Sequence, residues 1–555
     1  MRSKLLVIGL DGASFNVLDA LIEKDYLPNL ARLIQNGARA NLETTFPPIT
    51  AVAWSSFMTG KNPGKHGIFE FVMREQKSNR QLAVNASLRH GRAIWDILSA
   101  AGKRVIVHNF PCTYPPRAVN GLLIADFMTP KGRRDFTYPL GLLEELETKL
   151  GTYRLHLSQT YGNGNAQGVL DELNDELEYK AKVTEYLMTE YEWDAFFQYF
   201  WGTDRIQHEL WHIFDETHPR HDKAEAAKYR EAVYQYFRRV DEIVGRLIEL
   251  AGKDALIWVA SDHGFGAAHK YCSFNIWLLQ QGFLQLKRDA RTRLKKVMFD
   301  LGITPENAFK VVKKIPLGKL RPARGVSNNA GASKALSTFF LSFNDVDWTQ
   351  TRAFSKGNYG QIYVNLKGRE PNGSVNASDY DKVCDEVVTK LKELRDPATG
   401  EAWVGRIHRR EEIYTGARVP DAPDISFLPR DMRYLPLGNA DFTSNKFIVE
   451  AFGISGCHRM EGVMIANGEA IKQGFDAVQT SIYDVTPTIL YLLGQAVPED
   501  MDGKVLTQVI RQDFINAHPL SYSSQEKLPE DKELEFTAEE NEEIIERLKM
   551  LGYMG

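Results

Sequence analysis

Short apolar runs at Leu5–Leu10, Val105–His108, Ala195–Phe200, Leu256–Ala260 and 463–466 alternate with longer stretches of helical periodicity at 28–36, 93–101, 172–191 and 224–251. The runs have strand length and are apolar almost throughout, so both faces of each strand must be covered. Amphipathic helices between such strands are the crossovers that a parallel sheet requires. The chain is therefore expected to be α/β, with a mainly parallel central sheet flanked by helices in three layers.

In sheets of this kind ligands sit at the carboxyl ends of the strands. Asp11 directly follows the first run, and Ser261-Asp262-His263-Gly264 follows the run Leu256–Ala260. Each also fits a plainer role, Asp11 as a helix N-cap and 261–264 as a turn with satisfied polar groups.

Composition removes several function classes. A net charge of −4 over 555 residues offers no basic field for an extended nucleic acid. No uncharged apolar stretch of about 18 residues occurs, so no membrane span is expected. The N-terminal apolar run is too short for a signal h-region and reads as a buried strand. Four cysteines, Cys112, Cys272, Cys384 and Cys457, lack CxxC spacing, which argues against a zinc knuckle or a disulfide framework. A reducing, cytoplasmic setting is the expectation.

Asp204 and His208 lie four apart, on one face of a helical turn, where a carboxylate and an imidazole can share a cation. Alone, such a pair is more often a surface hydrogen bond. His458 stands in the glycine-rich loop 453–459, a place where many histidines are merely exposed. Taken together, Asp11, Asp204, His208, Asp262, His263 and His458 make three carboxylates and three imidazoles. This set suits two divalent ions, Zn²⁺ or, as the harder alternative, Mn²⁺. Thr50 supplies a nucleophile, because it opens an apolar helix whose free first-turn N–H groups would receive a phosphate.

The order Asp11, Thr50 with Thr59-Gly60 and His66-Gly67-Ile68, then Asp204 and His208, then Ser261-Asp262-His263-Gly264, then His458, resembles the alkaline phosphatase superfamily. The branch it is most similar to is the type I phosphodiesterase/nucleotide pyrophosphatase type, in particular its soluble prokaryotic predicted phosphohydrolases or phosphomutases. Asp484-Val-Thr-Pro-Thr-Ile-Leu490 and Asp500-Met-Asp-Gly503 look like the usual end of that core. The resemblance covers roughly 1–285 and 440–510. It implies that Asp11, Thr50, Asp262 and His263 hold one metal and that Asp204, His208 and His458 hold the other. It also implies attack by Thr50 on phosphorus, a covalent phosphothreonine and its hydrolysis, with His66 shaping a loop.

One position departs from the family pattern. The asparagine that would donate to a phosphate oxygen falls on Phe71, which has no donor. Lys61, Asn62, Lys65 or Arg74 is the expected stand-in, and Arg459 is a further candidate contact. Trp54, Phe69, Phe71 and Trp201 fit either stacking on a base or core packing.

The expected organisation is a metal-dependent core at 1–285 and 440–510, a cap inserted at 286–439, and a tail at 511–555. The basic stretch 287–319 would meet an anionic leaving group or form a solvated helix face. In the tail, Thr537-Ala-Glu-Glu540 is a capping box opening a helix whose Ile544, Ile545, Leu548 and Leu551 dock on the core or on a second copy of the chain. The expected activity is phosphodiester or nucleotide pyrophosphate hydrolysis of a small substrate. The alternatives are a phosphomonoesterase or phosphomutase of the same superfamily, or a non-catalytic binding protein that keeps the fold. A sulfatase is disfavoured, because Cys112-Thr-Tyr-Pro-Pro-Arg117 has the wrong spacing for the aldehyde-forming motif.

Overall fold

All five apolar runs become strands of one sheet in the computed structural model, which describes residues 4–553 apart from 79, 162–163, 309–337, 439–441 and 525–533. The sheet has nine strands in the order Phe475–Ser481, Ala38–Glu43, Glu461–Asn467, Leu256–Ala260, Leu5–Leu10, Ala195–Phe200, Val105–His108, Gly121–Ile124 and Thr137–Tyr138. Its centre is parallel, and Glu461–Asn467 runs antiparallel between Leu256–Ala260 and Ala38–Glu43. Leu5–Leu10 is 0–1% exposed, as a strand covered on both faces must be.

Register brings the functional loops together. Leu10 lies opposite Phe200 and Gly9 opposite Ala260, so the chain leaves three adjacent strands at one level, at Asp11, Trp201 and Ser261. Helices Ala166–Glu190 and Lys223–Ala251 pack against one another, the latter also against Pro28–Gln35. The four cysteines are buried and free. Among the described residues, no helix is long and apolar enough to cross a membrane.

A second buried cluster lies around residues 353–429, and it also takes in Cys272, Phe274, Trp277, Leu284 and Phe442 from beyond both expected boundaries of the inserted region. Ala353–Ser355, Gln361–Val364, Ile425–Pro429 and Val404–Arg409 form an antiparallel sheet, and helix Tyr380–Glu393 buries Val383, Val387 and Leu391 in the same cluster as Ile362, Val364 and Phe427. Of the basic stretch, Ala290–Asp300 is helical, and positions 309–319 lie outside the described residues. In the tail, helix Ala538–Met550 opens with the expected capping box: Thr537 Oγ1 accepts from the Glu540 amide and Glu540 Oε2 from the Thr537 amide. Its apolar stripe docks on the core of its own chain, with Ile544 and Leu551 at 0% exposure.

Candidate active site

The two halves of the site meet because Gly264–Ala267 pairs antiparallel with Gly456–Arg459, which puts Phe265 opposite His458. Asp11-Gly12 turns sharply off its strand. Gly12 has φ +65°, and a Cβ there would come within 2.8 Å of the Phe265 ring, so glycine is required. The Gly12 amide donates to Asp262 Oδ1 at 3.2 Å, tying the ends of the two strands. Asp204 and His208 follow on helix Gly202–Phe214.

Two compact groups of donor atoms result, Asp11 with Asp262 and His263, and Asp204 with His208 and His458. Within each, the ligand atoms lie within 4.8 Å of one another. The groups abut, with the His263 and His458 rings stacked at a centroid distance of 3.5 Å. All six residues are between 0 and 3% exposed.

The imidazoles share one hydrogen-bonding pattern. Nδ1–H of His208 donates to the Gly456 carbonyl (2.9 Å), that of His458 to the Pro48 carbonyl (2.8 Å) and that of His263 to the Gly264 carbonyl (3.1 Å). These partners assign the tautomer and leave every Nε2 as an inward lone pair. His208 Nε2 and His458 Nε2 consequently face each other at 3.0 Å as two acceptors. Asp11 Oδ1, Asp204 Oδ1 and Asp262 Oδ2 are buried without a hydrogen-bond partner. A buried lone pair or anionic oxygen left so is costly unless a cation completes it. The donor set therefore fits divalent metal ions.

Electrostatics point the same way. Burial, then repulsion from Asp262 and Asp204, pushes Asp11 well above the ordinary carboxylate range. Burial likewise pushes Asp262 up to about 7. Burial lowers His263 and His458, favouring the neutral imidazoles that coordinate metals.

Thr50 is the first residue of helix Thr50–Thr59, and Ile49 takes the cap position. Its hydroxyl therefore does not cap the helix; it bonds to His263 Nε2 at 3.1 Å. The Ala53 amide bonds back to the Ile49 carbonyl (2.8 Å), so the amides of Thr50, Ala51 and Val52 form the open first turn beside that hydroxyl. Gly60, at φ +65°, ends the helix. His66 bridges helix and loop, donating from Nε2 to Ser56 Oγ (2.9 Å) and accepting from the Ile68 amide (3.1 Å).

The five residues expected to contact substrate have other partners. Lys61 pairs with Asp500, and Lys65 with Asp502 at 2.7 Å. Asn62 caps helix Pro63–His66 and donates to Asp502 Oδ2 at 2.8 Å. The Asp500–Gly503 segment thus latches the loop after the Thr50 helix. Arg74 forms a buried pair with Glu370. Arg459 donates to the carbonyls of Cys457, His458 and Ala267. The four aromatic residues pack in the interior, Phe71 at 1% exposure with its ring 5.0 Å from that of Tyr553.

Three tyrosines escaped the sequence reading. Tyr199 donates to Asp11 Oδ2, and its position at the end of a central strand beside Gly9 was a usable signal. Tyr359, from the inserted region, stacks on His458 at 5.2 Å and accepts the His458 amide at 3.1 Å. Tyr553, two residues past the last buried leucine of the tail, donates to Asp204 Oδ2. Neither of the last two lies near a motif.

Residues 5–441 match the family model of type I phosphodiesterase / nucleotide pyrophosphatase. The match runs through the inserted region and stops short of His458. Human ectonucleotide pyrophosphatase / phosphodiesterase 5 has a similar fold, at TM-score 0.50 and 11% identity over 92% of this chain and 100% of its own. The murine counterpart, in complex with AMP, aligns at TM-score 0.50 and 13% identity over the same shares. Phosphonoacetate hydrolase from Sinorhizobium meliloti 1021 aligns at TM-score 0.46 and 15% identity, over 87% of this chain and 94% of its own. No curated protein sequence matches.

Proposed function

This chain belongs to the type I phosphodiesterase / nucleotide pyrophosphatase family, phosphohydrolases of the alkaline phosphatase superfamily, and we propose that it hydrolyses small phosphodiesters or nucleotide pyrophosphates through a phosphothreonine at Thr50. One observation carries this reading: three inward Nε2 lone pairs and three unpartnered carboxylate oxygens converge beside a buried threonine hydroxyl at a helix N-terminus. Asp11, Asp262, His263 and Thr50 would hold one divalent ion, and Asp204, His208 and His458 the other. Bound there, such cations supply Lewis acidity toward a phosphoryl oxygen and toward the threonine hydroxyl. The imidazole share of the donor set favours Zn²⁺, with Mn²⁺ as the alternative.

The chain's own groups perform the rest. The 3.1 Å approach of Thr50 Oγ1 to His263 Nε2 aims both atoms at one point, where both would meet the same cation, and the open first turn of the helix receives the non-bridging phosphate oxygens. Thr50 Oγ1 gives up its proton and bonds to phosphorus as the bond to the leaving oxygen breaks and that oxygen takes up a proton; the rest of the ester stays linked through phosphorus to Thr50, and water then cleaves the Thr50 Oγ1–phosphorus bond, releasing a phosphomonoester and restoring the hydroxyl. The region 286–439 forms the cap, a role supported by its own antiparallel sheet and by Tyr359 reaching His458. The AMP complex of the murine neighbour supports a nucleotide-type substrate.

Turnover of an aryl phosphodiester, an aryl phosphomonoester, a dinucleotide pyrophosphate and a sugar nucleotide, with Zn²⁺ or Mn²⁺ added, tests the reading. Diesters and pyrophosphates are expected to exceed the monoester by at least about tenfold, a transition-state preference worth about 1.4 kcal/mol. Activity is expected to vanish with a chelator. Preference for the monoester would move the assignment to the phosphomonoesterase alternative.

A further inference from the structure

The tail is built into the site. Helix Ala538–Met550 is seated by its apolar stripe, by Phe536 stacked on Tyr114, and by Asn541, whose side chain accepts the Ala83 amide and donates to the Gln81 carbonyl, each at 2.7 Å. Arg547, 3% exposed, bonds to Glu543 and to the Thr129 carbonyl. Gly552 then turns the chain at φ +87°, and Arg205 holds the Leu551 carbonyl. These anchors deliver Tyr553 to the Asp204 group.

Tyr553 is 4% exposed, and its backbone carbonyl accepts from Asn358 Nδ2 at 2.8 Å. Its hydroxyl has a determined direction. The indole N–H of Trp201 can only donate, and it does so to the phenol oxygen at 2.6 Å, which commits the phenol proton to Asp204 Oδ2. Tyr199 treats Asp11 in the same way. In both carboxylates Oδ2 is occupied by a tyrosine and Oδ1 is the unpartnered oxygen, 3.4 Å from His208 Nε2 and 3.5 Å from His458 Nε2 in Asp204, and 3.6 Å from His263 Nε2 in Asp11.

We propose that Tyr553 is a positioning residue for the metal group of Asp204, His208 and His458: its hydroxyl restricts Asp204 to a single ligating oxygen, so the C-terminal tail is a working part of the active centre. The inference rests on the two-metal reading above. Groups that orient metal ligands from behind are worth about 10- to 100-fold in metal affinity. The ring of Tyr553 packs with Phe71 and Phe127, so Tyr553→Phe keeps the packing and deletes only the hydroxyl.

Zn²⁺ titration of the 555-residue chain by calorimetry tests it, with unfolding in chelator as the control. Tyr553→Phe is expected to weaken one of two sites about 10- to 100-fold while the other keeps its affinity, with a modestly lower midpoint of unfolding in chelator from the Trp201 indole left without its acceptor, and with activity restored by raising Zn²⁺. Tyr199→Phe is expected to weaken the other site instead. Wild-type affinity at both sites in Tyr553→Phe would overturn the inference, as would equal loss at both. A wild-type protein that binds fewer than two ions would instead refute the two-metal reading.

Discussion

Thr50→Ala is expected to lower the turnover of an aryl phosphodiester by roughly a thousandfold or more, the scale seen when a nucleophile is deleted from a site whose other parts act as a unit with it. The variant should fold. Thr50 is fully buried, and the substitution removes a hydroxyl, a methyl group and one hydrogen bond to His263, a loss of about 1–2 kcal/mol. It should also retain metal, because both three-residue donor groups remain. The mechanism predicts a covalent record. Wild-type protein quenched in acid during turnover of a phosphoryl-labelled diester should carry label on Thr50, Thr50→Ser should carry it on the new serine, and Thr50→Ala should carry none. Wild-type turnover by Thr50→Ala would remove Thr50 from the chemistry.

How far the site could be read from sequence depended on whether the information was local. Apolar runs of strand length mark the central strands because burial on both faces demands such runs, and the residue after each strand then marks the crevice. Asp11, Asp262 and His263 were legible for that reason. Asp204 and His208 were legible through helical spacing. His458 carried no local pattern of its own, and its place comes from the strand pairing of Gly264–Ala267 with Gly456–Arg459.

The partners of the basic side chains near Thr50 were not legible, because those side chains could be claimed by acids far along the chain. Lys61 and Lys65 pair with the Asp500–Gly503 latch, and Arg74 with Glu370. No spacing rule reports pairings across such separations. The same reasoning explains Phe71. Its ring lies against Tyr553, so the space before it is taken by a residue from the other end of the chain.

Asp262→Asn is expected to abolish metal-dependent turnover and, in the metal-free protein, to increase stability. The two effects share one cause. Without a cation, Asp262 is a buried carboxylate beside Asp11 and Asp204, and its folded-state pKa is pushed from 3.8 up to about 7. A group raised on folding binds more protons in the native than in the unfolded state, so its stability contribution is lost as pH rises from about 4 through about 7. Above that range the native protein carries the full cost of the ionised group, a few kcal/mol. Asparagine removes that charge, and its Oδ1 can still accept the Gly12 amide. Denaturation in excess chelator should therefore show Asp262→Asn close to wild type near pH 4 and more stable by about 2–4 kcal/mol near pH 8. With Zn²⁺ present the order should reverse, since the wild type gains binding free energy, about 4 kcal/mol at a thousandfold excess over Kd, that the variant has forfeited. A metal-free variant less stable than wild type at pH 8 would show that burying the Asp262 carboxylate carries no cost that the cation relieves.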